Sequence, residues 1–317
     1  MDDCIQKVAK ESLLSGESLS IPSPHAKNYN RIVFQAALSS LDGGAKLVLS
    51  HGKTCPWCSA YVEIDAEAVS VYEYPGKAVL LERIAHGLSV LDFIHVSIDV
   101  AAGFSARLDL STASGSFSKE FPWNGSNGDI LAEVLGTTLS DCTLAYAIDG
   151  VRKDTWAFGD SYLDFWCRRL IGRGLDTLYL DGHSGRTSRA ALASLKTDLS
   201  YATPKRLVWL MGMNDPDGEA VSPSWIECYH ELCEICRERG IELILATIPN
   251  TPIRCHQYKN ETVRSSGFRY LDINAAVGAD ADSGWREGLL SPDRVHPTAE
   301  GAEVIAEYIL AALPEMG

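Results

Sequence analysis

The sequence predicts two folds in series: an all-β sandwich, jelly-roll-like, over residues 1–150, and an α/β unit built on a parallel sheet over residues 151–317. Three observations carry this reading. The first half is a succession of short alternating runs separated by turn residues. After Asp149-Gly150, strand-like runs alternate with helical ones instead. And the chemically interesting residues of the second half fall just after those strand-like runs, where open parallel sheets place their sites.

Within residues 1–150 the strand-like runs are Arg31–Ala36, Ala45–Ser50, Val69–Tyr74, Ala78–Arg83 and Phe93–Val100. The last alternates most cleanly: Ile94, Val96, Ile98 and Val100 are apolar, and His95, Ser97 and Asp99 polar, the period of a strand with one buried face. Asp42-Gly43-Gly44, Pro75-Gly76 and the segment Asn124 to Gly128 are turn signals between runs. Short strands at this spacing predict two sheets around one core. An edge of such a sandwich could mediate a homo-oligomer, and the sequence leaves the oligomeric state open.

In residues 151–317 the expected strands are Thr155–Phe158, Thr177–Leu180, Arg206–Met211, Glu242–Ile248 and Arg269–Ile273. Helical patterns lie between them at Tyr162–Ile171, Arg189–Leu199 and Trp225–Arg239. Pro297 is expected to open a final helix running to about Leu313, since proline suits a first helical turn.

Composition bounds the function. A formal charge of −14 and a pI near 5.0 argue against nucleic acid or an anionic membrane surface as partner. No apolar run nears the roughly 20 residues a spanning helix needs. The first residues lack the basic and then apolar regions of a secretory signal, so the expectation is a cytoplasmic protein. Nine scattered cysteines predict reduced thiols rather than a disulfide framework. Cys55 and Cys58 form a Cys-x-x-Cys without a βαβ context or a second matching pair, and read as a loop first, with an incidental disulfide or a metal site beside His51 as the alternatives. Cys228, Cys233 and Cys236 lie among apolar neighbours and read as core thiols.

The chemistry gathers at four turns. Trp156-Ala-Phe-Gly-Asp-Ser161 is a short apolar run ending in a turn that presents a serine hydroxyl. A serine needs a base, an orienting group and oxyanion donors to act as a nucleophile. His296 supplies the base, because imidazole titrates near neutral pH. Asp293, three residues earlier, can hold the imidazole tautomer and stabilise its protonated form. The backbone N–H groups of Ser161 and Gly185 and the side-chain amide of Asn214 supply oxyanion donors. Glycine at 185 lets the backbone approach a substrate without a Cβ in the way. Each turn alone is ordinary; four of them, in order after alternating elements, make a constellation.

Those residues resemble the blocks of the SGNH (GDSL-type) hydrolase family. Phe158-Gly-Asp-Ser161 matches the nucleophile block and His183-Ser-Gly185-Arg-Thr187 the oxyanion-glycine block. Gly212-Met-Asn214-Asp215 matches the oxyanion-amide block, and Asp293-Arg-Val-His296-Pro297 the acid–base block. The resemblance covers about residues 152–313. It implies a three-layer α/β/α fold and a serine esterase, lipase, deacetylase or thioesterase with no cofactor. The chain reads Tyr162 after the nucleophile where many members have leucine. A β-sandwich ahead of such a domain is similar to the layout of carbohydrate esterases, which points to a short-acyl esterase or deacetylase acting on acetylated carbohydrate. The rival activities are a lysophospholipase or thioesterase, an acyltransferase, and a carbohydrate-binding protein with an inactive hydrolase domain.

Around the site, Asp160 and Asp215 read as turn anchors. His183, Met213, Arg254, His256 and Trp285 are substrate-contact candidates because their loops fall on the same rim. The Asn-x-Ser/Thr sequences at Asn124 and Asn260 mean little without a secretory signal.

Overall fold

The computed structural model of the chain describes residues 6–21, 30–38, 41, 44–52, 59–74, 78–88, 93–101, 105–123, 129–148, 153–163, 178–217, 223–278 and 284–312. It divides into two units, Met1–Asp149 and Gly150–Gly317. Among the described residues no helix is long and apolar enough to cross a membrane.

The first unit is β throughout its described residues. Its strands are β1 (Gln6–Leu13), β2 (Ser18–Ile21), β3 (Asn30–Leu38), β4 (Lys46–His51), β5 (Ser59–Ile64) and β6 (Ala68–Tyr74). They continue with β7 (Val79–Ala85), β8 (Phe93–Ala101), β9 (Ser105–Thr112), β10 (Gly115–Pro122), β11 (Ile130–Leu135) and β12 (Leu139–Ile148). Two six-stranded sheets result, ordered β1-β12-β3-β8-β9-β10 and β2-β11-β4-β5-β6-β7. Every neighbouring pair is antiparallel.

Side-chain alternation sets the register. Ile32, Phe34 and Ala36 of β3 lie opposite Ile98, Val96 and Ile94 of β8, and all six are buried. Leu108 and Leu110 of β9 continue the same rows. A one-residue slip would turn this whole set to water, so the apolar rows pin the pairing. The runs expected at β3, β4, β6, β7 and β8 are strands. The strands that the pattern does not announce include β1 and β10, both sheet edges, where exposed faces tolerate Lys, Ser and Glu. The turn signals at 42–43, 75–76 and 124–128, and Cys55 and Cys58, lie outside the described residues.

The second unit carries a five-stranded, wholly parallel sheet. Its strands are β13 (Thr155–Gly159), β14 (Tyr179–Gly182), β15 (Arg206–Leu210), β16 (Glu242–Ala246) and β17 (Arg269–Leu271), in the order β14-β13-β15-β16-β17. Its helices are α1 (Ser188–Asp198), α2 (Pro223–Arg239), α3 (Gln257–Arg264), α4 (Ile273–Ala276) and α5 (Ala299–Ala312). Of the helix expected at Tyr162–Ile171, residues 161–163 are described and helical.

Both faces of this sheet are buried, as its continuous apolar strands require. Ala157, Val208, Ile244 and Leu271 pack with Ala302, Ile305, Ala306 and Ile309 of α5 in one core cluster. The alternate residues form an aromatic layer: Trp156 and Tyr179 meet edge-on at 5.3 Å, and Phe158 stacks on Trp209 at 6.1 Å. Cys228, Cys233 and Cys236 are buried on α2, as core thiols.

Several boundaries differ from expectation for local reasons. The last helix begins at Ala299, not Pro297, because the Thr298 hydroxyl caps it by accepting from the Gly301 N–H at 3.1 Å. Pro297 instead pairs with Leu290 in an isolated bridge. The expected strand to Ile273 stops at Leu271, where the Asp272 carboxylate caps α4. And α3 is not announced by the pattern, because its sequence is mostly polar.

Gly301 brings α5 against the loop before it: a Cβ there would lie 2.1 Å from the Leu289 carbonyl oxygen. At an open helical position Gly→Ala would stabilise by about 1 kcal/mol. Here Gly301→Ala should instead cost about 1–3 kcal/mol by overpacking. Thermal unfolding reads the sign directly, and a raised Tm would refute the close contact.

Candidate active site

The strand order reverses beside β13: the chain moves from β13 to β14 on one side, then crosses to β15 on the other. Such a switch opens a crevice at the carboxyl ends of the central strands. Ser161 follows β13 by two residues, Gly185 follows β14, Asn214 follows β15, and the loop before α5 carries Asp293 and His296.

The structure brings Ser161, His296 and Asp293 into one line. His296 Nε2 lies 3.0 Å from Ser161 Oγ, and Nδ1 lies 2.7 Å from Asp293 Oδ2. Ser161 is buried, whereas the His296 and Asp293 side chains remain 31% and 50% exposed, so solvent and substrate can reach the imidazole. The second carboxylate oxygen, Asp293 Oδ1, accepts from Ser291 Oγ at 2.5 Å and from the Val295 and His296 N–H groups at 2.9 Å each. Partial burial alone would raise the Asp293 pKa. These hydrogen bonds outweigh it and hold the carboxylate well below the usual range.

The three turns expected to donate to an oxyanion are stitched together by hydrogen bonds, one of them made by one N–H of the Asn214 amide itself. The Met213 N–H donates to Asp160 Oδ2 at 3.3 Å, joining the Asn214 turn to the Ser161 turn. Asn214 Nδ2 donates to the Arg186 carbonyl at 3.1 Å, joining it to the Gly185 turn. The His183 N–H reaches the Gly159 carbonyl at 3.2 Å. Gly185 adopts φ 77°, which its lack of a Cβ permits. Gly212 adopts φ 138°, and a Cβ there would lie 2.2 Å from Ile248 Cδ1. Asp215 accepts from the Ser188 N–H and hydroxyl, fastening the turn to the start of α1. Asp160 and Asp215 are thus turn anchors, as their positions suggested.

A scan against protein families matches residues 147–304 to the GDSL-like lipase/acylhydrolase family. The second unit is a GDSL-type hydrolase domain. No curated protein matches the chain. Among solved structures it is similar to a GDSL-like lipase from Bacteroides thetaiotaomicron, with 18% identity over 50% of this chain and 86% of that one, and a TM-score of 0.40. It is also similar to a catalytic mutant of an acetylxylan esterase from Geobacillus stearothermophilus, with 16% identity over 52% and 95% of the two chains and a TM-score of 0.41.

Within the GDSL-type domain the remaining rim candidates divide. His183 is half-buried. Met213 is buried and walls a small cavity with Asp160, Tyr162, Leu210, Thr247, Ile248, Pro249 and Ile273. Trp285 is partly buried, donates Nε1–H to the Asn250 carbonyl at 2.7 Å, and lies 6.3 Å from the Tyr162 ring. His256 departs from expectation: it is fully buried, with Nδ1 2.7 Å from Asp217 Oδ1. Arg254 turns to the Met213 carbonyl. Asn260 is also buried, with its amide bonded at both ends to Ile248, and so is no glycosylation acceptor.

Sequence reasoning missed several residues around the site. Tyr162 donates its hydroxyl to the Val295 carbonyl at 2.5 Å, tying the nucleophile turn to the residue before His296. Arg186 and Asp181 form a buried bidentate pair at 2.8 and 2.7 Å behind the Gly185 turn. Lys259 is fully buried; burial lowers its pKa, and the Asp217 and Asp215 carboxylates oppose that. Burial likewise lowers the His256 pKa, with Asp217 opposing.

Burial raises the pKa of two carboxyls of the domain. Burial pushes Asp160 up to about 7 against the Tyr162 and Met213 N–H groups. Burial, and then the Asp181 carboxylate, push Asp198 up to about 8. A carboxyl whose folded pKa is raised stabilises the fold fully below its unfolded pKa, roughly 3.9, and that contribution is lost as pH rises through the folded value. Asp160→Asn should therefore flatten the decline in stability between about pH 4 and pH 7. Denaturant unfolding at several pH values measures the slope, and an unchanged slope would count against a protonated Asp160.

Proposed function

We propose that the chain is a serine-dependent carboxylic-ester hydrolase working through an acyl-enzyme, and that its ester is a short acyl group, acetyl foremost, on a carbohydrate. The observation that carries the reaction type is the unbroken line from Asp293 through His296 to Ser161, at 2.7 and 3.0 Å. In this reading Ser161 Oγ attacks the ester carbonyl while His296 Nε2 takes its proton. Asp293 keeps the proton on Nδ1, which leaves Nε2 as acceptor, and its carboxylate stabilises the imidazolium that forms. The Ser161 and Gly185 N–H groups and the Asn214 amide receive the oxyanion. As the tetrahedral intermediate collapses, the alcohol oxygen leaves with the proton from His296. Water, deprotonated by the same imidazole, then cleaves the acyl–serine ester.

The short acyl group is supported by the order of the two units: a β unit ahead of a GDSL-type hydrolase domain is similar to the layout of carbohydrate esterases that remove acetyl groups. The carbohydrate is supported by the first unit. Its core order, β1-β12-β3-β8 and β2-β11-β4-β5, supports a jelly-roll reading with β6–β7 and β9–β10 as added hairpins, an architecture found among lectin domains. Fold alone does not choose a substrate.

Acetate release from a panel of acetylated sugars and polysaccharides tests both parts. The wild type should release acetate from one sugar class, and Ser161→Ala should lose at least about 10³-fold in kcat. Turnover of long-acyl or thioester substrates without acetate release would discard the deacetylase and keep the hydrolase. Asp293→Asn should lower kcat by about 10²–10⁴-fold, since it removes the group that sets the tautomer. A loss below tenfold would remove Asp293 from the line.

A further inference from the structure

The turn Gly212–Asp215 is held from one side by two cations. Lys259 Nζ donates to the Gly212 carbonyl at 2.8 Å and to the Asp215 carbonyl at 2.7 Å. The Arg254 guanidinium donates to the Met213 carbonyl between them. Three carbonyls around Asn214 are thereby taken by positive charge. Both residues belong to one short stretch, with α3 anchored by Asn260, whose amide accepts from the Ile248 N–H at 2.7 Å and donates to its carbonyl at 2.8 Å.

The neighbour shows that hydrogen bonding alone does not require a charge here. Asn260 satisfies a buried peptide group with a neutral amide. Lys259 performs a similar task with an ammonium that is 0% exposed, and desolvating such an ion is expensive. Its direct carboxylate partner, Asp217, is 3.3 Å away, 34% exposed and shared with His256 at 2.7 Å, and the Asp215 carboxylate adds to it. Hydrogen bonds from cations to three carbonyls hold the turn more firmly than neutral donors would.

We infer that Lys259 and Arg254 are positioning residues for Asn214: through charge-assisted hydrogen bonds to its turn they fix the amide that donates to the oxyanion. The inference rests on the hydrolase reading above. The experiment is the rate of covalent labelling of Ser161 by a fluorophosphonate, followed by mass spectrometry on the full chain, which requires no knowledge of the natural ester. Lys259→Gln keeps hydrogen-bond donors and removes the charge. It should slow labelling by about fivefold or more, while the fraction finally labelled stays complete; a merely structural role would lower that fraction instead. Placed in an Asn214→Ala background, Lys259→Gln should add no further slowing, because it acts through Asn214. Labelling within fivefold of wild type, or slowing that multiplies with that of Asn214→Ala, overturns the inference. If Lys259→Gln does not fold, Arg254→Gln is read through the same cycle with the same criteria. A wild type that is not labelled at Ser161 overturns the hydrolase reading; labelling of the wild type with an indifferent Lys259→Gln overturns this inference alone.

Discussion

The Asp293 carboxylate accepts four hydrogen bonds from within its own short loop: the Ser291 hydroxyl, two backbone N–H groups and the His296 imidazole. Those bonds leave the imidazole one orientation, and the loop takes its shape from them. Arg294 is held at φ 62°, a left-handed conformation that non-glycine residues rarely adopt, because the chain must turn back for the Val295 and His296 N–H groups to reach one oxygen. Ser291 N–H donates to the His296 carbonyl and Thr298 N–H to that of Leu289, which closes the loop onto the start of α5. Helix α5 in turn is fastened by burial of Ile305, Ala306 and Ile309 against the sheet. Packing of one apolar helix face thus decides where a catalytic-type imidazole can be.

The other turns of the crevice are organised by buried ionisable groups. Arg186 and Asp181 are almost entirely removed from solvent, as are Lys259, Asp160 and Asp198. Desolvation on this scale opposes folding. Three of these groups provide direction: Arg186 holds the Asp181 carbonyl, Asp160 the Met213 N–H, and Lys259 the Gly212 and Asp215 carbonyls, beside the turns that carry Gly185, Ser161 and Asn214. Perturbed carboxyls and a buried ammonium around one crevice are what a preorganised site requires.

Much of this was legible in the sequence. Glycine-bearing turns after apolar runs located Ser161, Gly185 and Asn214 on one rim, since a parallel sheet presents the carboxyl ends of its strands together. The spacing of Asp293 and His296 fits a tight loop, and both reach the serine line. What escaped were polar residues facing inward. Helix α3 buries Lys259, Asn260 and Val263, a face that hydrophobic periodicity cannot detect because two of its three members are polar. Tyr162, a visible departure from the usual leucine, gave no hint of its partner 133 residues away. Edge strands β1 and β10 escaped for the reverse reason: with little to bury, they carry little pattern.

By itself the sequence determined which side chains exist for the chemistry and which runs must become strands, because periodicity and turn chemistry act over a few residues. Tertiary structure alone decided the partners: that His256 faces Asp217 rather than the rim, that Lys259 and Arg254 grip the Asn214 turn, and that Tyr162 meets Val295. The physical reason is that burial of a polar group is favourable only where a complementary group arrives from elsewhere in the chain. That arrival is set by the packing of whole elements, which local sequence does not encode.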